Sequence, residues 1–130
     1  ARIRGAARGK LAPAFGVGIN GSSGWRLLVS PMRKALELFK NEEEKVSVPY
    51  AWESGTWTCL RIQSRKTGDK AWKVEGKAWA QGRAEPAGWT IAADETVEPP
   101  AGRQSVWGVP YSDLPLQFDD LLVTEAAGNP

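Results

Sequence analysis

An all-β antiparallel sandwich or barrel is the fold that this sequence predicts, and three observations predict it. About nine or ten short runs alternate apolar with polar residues at spacings of roughly 8 to 14 residues. Clusters of Gly, Pro, Asn and Ser punctuate them, with 14 glycines and 9 prolines in the chain. No stretch carries a convincing helical period, so local pleats rather than helix faces must bury the apolar residues.

The first run, residues 1–8, places Ile3 on one face and Arg2 and Arg4 on the other, as in a strand with one wet side. Residues 10–13 break it. From residue 14 to 20, Phe15, Val17 and Ile19 share a face opposite Ala14, Gly16 and Gly18, and something large is expected to lie over those glycines. Asn20-Gly21-Ser22-Ser23-Gly24 is a hairpin loop, and residues 25–29 form an apolar central strand. Asn20-Gly21-Ser22 also fits the glycosylation acceptor pattern, which acts only in a eukaryotic secretory context.

Pro31 turns the chain in residues 30–33. Residues 34–40 are read as a strand with Leu36 and Leu38 inside and Glu37 and Phe39 outside, because a helix of about seven residues is marginal in water. Asn41 to Lys45 is expected to be a solvated tip, since its three consecutive glutamates point different ways and lack calcium-loop spacing. Pro49 confines residues 46–50 to an edge or a strand end, and a turn follows from Trp52 to Gly55. Residues 56–65 place Thr58, Leu60, Ile62 and Ser64 on one face and Trp57, Cys59, Arg61 and Gln63 on the other. After a turn at residues 67–69, residues 70–80 set Trp72, Val74, Gly76 and Ala78 against Lys73, Glu75, Lys77 and Trp79.

The stretch from Gly76 to Ile91 carries Trp79 and Trp89 around a Pro86–Gly88 turn. Both tryptophans serve as core anchors in the simpler reading; in the sharper one, one of them is a platform for a flat ligand such as a sugar ring, and Trp79 falls on the polar face. Residues 94–102 and 110–115 are Pro-bracketed loops on either side of a strand at 103–109. Residues 116–124 close the domain as a strand whose change of register calls for a bulge at Asp119-Asp120. The expected core includes Leu60, Ile62, Val74, Ile91, Phe118 and Val123, with Trp57 or its neighbours.

A chain of 130 residues is sized for one domain, expected at residues 1–125 with a frayed tail at 126–130. The 17 basic and 15 acidic residues nearly balance, so no nucleic-acid partner is implied. The balance is uneven along the chain, because Arg2, Arg4, Arg8 and Lys10 open it and Asp113, Asp119, Asp120 and Glu125 close it. The two terminal strands are therefore expected to pair antiparallel with complementary charge. The single cysteine, Cys59, excludes an internal disulfide, and the absence of histidine removes the commonest general base and zinc ligand. No apolar run approaches the roughly 20 residues of a membrane span. Ala1 follows no methionine or signal-like segment, so the sequence is expected to be a piece of a longer protein.

Three segments together resemble the concanavalin A-like lectin and glucanase superfamily, in particular bacterial laminin-G-like and 3-keto-disaccharide hydrolase-like domains. They are Trp57-Thr58-Cys59-Leu60-Arg61-Ile62, Gly76-Lys77-Ala78-Trp79 with Glu85-Pro86 and Trp89, and Val106-Trp107-Gly108 through Phe118-Asp119-Asp120-Leu121-Leu122-Val123. The resemblance implies a two-sheet jelly roll, here lacking the family's first strands, which another segment would then supply. It implies carbohydrate or cell-surface recognition in an extracellular or envelope setting, with a polysaccharide or oligosaccharide and neighbouring domains of the parent protein as partners. The alternating carboxylates of the glucanase members are missing, Asp94, Glu95 and Glu98 lying in a loop, so a noncatalytic module is expected and not an enzyme. A structural or protein-interaction domain is the alternative, and a degenerate glycoside hydrolase is a third. Candidate ligand contacts are Trp79, Trp89, Trp107 and Tyr111 as platforms, with Arg61, Gln63 and Arg103 as hydrogen-bonding partners. No cofactor other than calcium is indicated; Asp119 and Asp120 are candidates to bind it or, more simply, to satisfy backbone N–H groups.

Overall fold

The structure, a computed structural model, describes residues 1–126. Ten strands follow one another: β1 Arg2–Arg4, β2 Ala14–Ile19, β3 Trp25–Ser30, β4 Ala35–Lys40, β5 Glu43–Pro49, β6 Trp57–Gly68, β7 Ala71–Ala80, β8 Ile91–Glu95, β9 Ser105–Val109 and β10 Gln117–Asp119. A single 3-10 turn, Pro31–Arg33, joins β3 to β4, and no α-helix is present among the described residues. Two five-stranded antiparallel sheets result, one ordered β10-β1-β6-β7-β8 and the other β5-β4-β3-β2-β9. The chain passes between them after β1, β5, β8 and β9.

The pleat explains the layering. Phe15, Val17, Ile19, Trp25, Leu27, Val29, Leu36 and Leu38 project from the second sheet onto Ile3, Leu60, Val74, Ala78 and Ile91 of the first. Each large apolar side chain buried here contributes about 1.5–3 kcal/mol relative to exposure. The layers meet closely at Gly76, where an added Cβ would lie 2.8 Å from Leu27 Cδ1. Residues 35–40 are a strand, as their alternation predicts, because only a pleat puts both Leu36 and Leu38 inside. Pro49 ends β5 at a sheet edge, where its missing N–H leaves no ladder bond unmade. Large groups do cover the β2 glycines, since Trp107 Nε1 and Ser105 Oγ lie where a Gly18 side chain would be.

The terminal strands pair as their charges predict: Arg2, Ile3 and Arg4 face Asp119, Phe118 and Gln117. Arg2 Nη2 donates to Asp119 Oδ2 at 2.7 Å, and Arg2 Nε lies 2.9 Å from Asp120 Oδ2 without the alignment of a hydrogen bond.

Several expectations need correction. The closing strand is not residues 116–124 but only β10, because Asp120 adopts a left-handed φ of 54° and ends the ladder where a bulge was expected. Phe118 and Val123 are consequently 42% and 53% exposed and lie outside the core, while Trp57 faces outward against the Arg2 guanidinium. The tip after β4 narrows to Asn41 and Glu42, since a register shift between Leu38 and Phe39 lets β5 begin at Glu43. Asp94 and Glu95 belong to β8 rather than to a loop. The turn after β6 falls at Asp69-Lys70. Of the expected tail, residues 127–130 lie outside the described residues.

Candidate functional site

The residues singled out in the sequence separate onto different surfaces. Arg61 and Gln63 of β6 face Lys77 and Glu75 of β7 on the outer side of the first sheet, and Trp79 stands beside Cys59 in the same row. The loop after β7 folds back over them. Glu85 reaches both Arg61 at 2.8 Å and Lys77 at 2.7 Å, and Lys77 Nζ donates to Pro86 O at 2.6 Å. Trp89 covers the Lys77 ammonium at 5.0 Å and the Arg61 guanidinium at 5.8 Å. Lys77 and Arg61 hold the Glu85 carboxyl below the usual range. The Trp89 face and the Arg61 head are thus engaged with each other and with Lys77.

Trp107 lies on the opposite side of the molecule, on the outer face of the second sheet. Its ring packs 4.7 Å from the Arg26 guanidinium, which also faces Phe39, and its Nε1 donates to Ser105 Oγ at 2.7 Å. Arg103 and Tyr111 flank β9 at its two ends, both exposed. Trp79, Trp107, Arg103 and Tyr111 therefore do not converge on one ligand.

What the fold does bring together is one end of the sandwich, where β5 leaves, β6 enters and β7 leaves. An open cleft of about 470 Å³ is lined there by Pro31, Lys34, Pro49, Tyr50, Ala51 and Trp52. A smaller cleft of about 230 Å³ shares Tyr50 and Ala51 with it and adds Glu53, Thr56, Thr58, Trp79 and Arg83. Trp52 is propped on Phe15, with ring centroids 6.4 Å apart, and its Nε1 is buried without an acceptor among the described residues. Burial raises the Tyr50 phenol above its ordinary value, and Thr58 is hydrogen-bonded to it. Arg83 and Glu53 approach loosely, at 3.5 Å, with both side chains mostly exposed.

Tyr50, Trp52, Lys34, Glu53 and Arg83 escape a reading by strand faces because they lie on connections. The signal available is Pro49-Tyr50-Ala51-Trp52, two aromatics with one spacer directly after an edge strand, which sends both rings to the same end.

The candidate calcium ligands are already paired. Both candidate calcium ligands are committed to Arg2, and Asp119 Oδ1 accepts the Asp120 N–H at 2.8 Å, so a cation would have to displace a guanidinium and the pair does not fit one. Bonding to Arg2 and to that N–H lowers the Asp119 carboxyl. Among the described residues no group of three acidic or sulfur ligands comes together. Glu37, expected on the outer face of its strand, is only 2% exposed, because Ser30 Oγ and Arg33 Nη1 donate to its carboxylate and cover it. The Cys59 thiol is half-buried and raised by burial, which keeps it protonated and unreactive.

No protein-family model, curated protein or solved structure matches this chain. The chemistry of the site rests on its own side chains. Trp52 and Tyr50, with Trp79 at the edge of the smaller cleft and Lys77 Nζ 5.9 Å over the Trp79 ring, stand among ammonium, guanidinium, carboxylate and hydroxyl groups that can bond hydroxyls around an apolar C–H face.

Proposed function

We propose that this sandwich is a noncatalytic carbohydrate-binding module of the concanavalin A-like kind, engaging an oligosaccharide or polysaccharide along the cleft that Tyr50 divides. The observation that carries the reading is the row Trp52, Tyr50 and Trp79 across two adjoining clefts at one end of the molecule. A sugar chain needs platforms for successive ring faces, together with polar groups at the edges, and an open cleft admits a polymer that an enclosed pocket excludes.

Tryptophan fluorescence titrated with a panel of soluble oligosaccharides tests this. Quenching is expected, abolished by Tyr50→Ala and weakened by Arg83→Ala, and unchanged in Trp107→Phe, which lies on the far face. An unchanged emission at millimolar sugar, in a sample with a β-type circular-dichroism spectrum, would sink the reading.

A second reading, a protein-interaction domain, is favoured by one specific feature. Leu121, Leu122 and Val123 follow β10 with 58%, 78% and 53% exposure, next to half-exposed Phe118. Self-association or partner capture lost on Leu122→Asp, with no sugar binding, would establish it instead.

A further inference from the structure

We propose that the Tyr50 cleft selects acidic glycans, those bearing uronate carboxylates, with Lys34 as the group that recognises the acid; this rests on the carbohydrate-binding reading. Lys34 is the charged side chain lining the larger cleft, beside Trp52 and Tyr50. Its backbone is pinned: it adopts a left-handed φ of 54°, its N–H donates to Pro31 O at 3.1 Å, and its carbonyl accepts the Tyr50 N–H at 3.0 Å. That pinning fixes where the side chain emerges relative to the Tyr50 ring.

The other cations near this end are spoken for. Arg33 bonds Glu37 at 2.9 Å and lies 3.6 Å from Glu44. Arg83 has Glu53. Lys34, by contrast, has no carboxylate within ion-pair distance among the described residues. Taking both clefts together, Lys34 and Arg83 against Glu53 leave one positive charge over the aromatic row. A ligand that laid a neutral sugar there would leave the ammonium to water, whereas a uronate would bond it directly while its ring stacks on Tyr50 or Trp52. A hydrogen bond to a charged group is worth on the order of tenfold in affinity.

Affinities for polygalacturonate oligomers and for neutral cello-oligosaccharides of equal length, measured calorimetrically at low salt, test the proposal, with polyglutamate as a sugar-free polyanion. The acidic oligomer should bind about tenfold more tightly than the neutral one. Lys34→Gln should remove that preference, weakening acidic binding about tenfold more than neutral binding, while added salt should erode the acidic advantage alone. Equal affinities in the wild-type protein overturn acid selection and leave the carbohydrate reading standing. A preference that survives Lys34→Gln overturns the role of Lys34. Polyglutamate binding as tight as polygalacturonate overturns sugar recognition in favour of bare charge, and absence of binding to either oligosaccharide overturns both readings together.

Discussion

Lys77 and Glu85 show what single residues do here beyond filling space. Lys77 is on the outer face, yet it is almost wholly enclosed by the returning loop, and its ammonium is compensated by Glu85, by Pro86 O and by the Trp89 ring. The Glu85 carboxyl titrates below its unfolded value because of Lys77 and then Arg61. Its contribution is therefore present above the ordinary carboxylate range and lost as pH falls through the lowered value. Trp89 emission should shift as the loop loosens on acidification, and Glu85→Gln should abolish that step; an unaltered profile in the variant would show that another group controls the loop. Gly76 is the second informative residue. Leu27 and Ile91 occupy the space a side chain would need, so Gly76→Ala should cost about 1–3 kcal/mol in chemical denaturation, and a neutral effect would mean that the layers can slide apart there. The sequence marks Gly76 only as one position on an apolar face. Which atom crosses the gap to meet it depends on the opposite sheet.

Strand by strand, the alternation was legible wherever the pleat alone decides burial. β2, β4 and β6 carry the expected residues inward because each has a covered neighbour on both sides. The end of the chain was less so, since an apolar run such as Leu121-Leu122-Val123 looks like a strand whether or not a partner exists to pair with it. Here pairing stops at Asp119, and the following residues stay exposed. The pairing of β1 with β10 was legible through charge. Arg2→Gln should loosen β10, seen as faster amide exchange at Ile3 and Phe118 with protection of β6 and β7 unchanged. If protection at Phe118 persisted, the ladder would hold without the charges. The interlayer pair Lys40 and Glu95 ties β4 to β8. Burial tends to raise the Glu95 carboxyl, but the bond to Lys40 and the Val97 N–H outweigh it and hold it low. Glu95→Gln should accordingly lower the melting temperature at pH 7 more than at pH 3, because the stabilisation exists only where the carboxylate is ionised.

At the scale of the whole molecule, the sandwich presents two outer faces and two ends, and its tryptophans divide among them and the core. Trp25 fills the core, Trp89 and Trp107 cover cations on opposite faces, and Trp52 and Trp79 line the clefts at one end. Trp79 was visible in the sequence as an aromatic on a polar face. Trp52 was not, because its place depends on how the connection from β5 to β6 crosses the end of the barrel of side chains, and only the assembled layers define that end. The central claim, that a sugar lies along the Tyr50 clefts, is tested most directly by the indole N–H resonances of the seven tryptophans in a ¹H–¹⁵N spectrum during titration with an oligosaccharide. The Trp52 signal, whose N–H lacks an acceptor in the free protein, and the Trp79 signal should move together and saturably, while Trp25 and Trp107 stay fixed. Shifts confined to Trp107 or Trp89, or no shift at any of the seven, would contradict it.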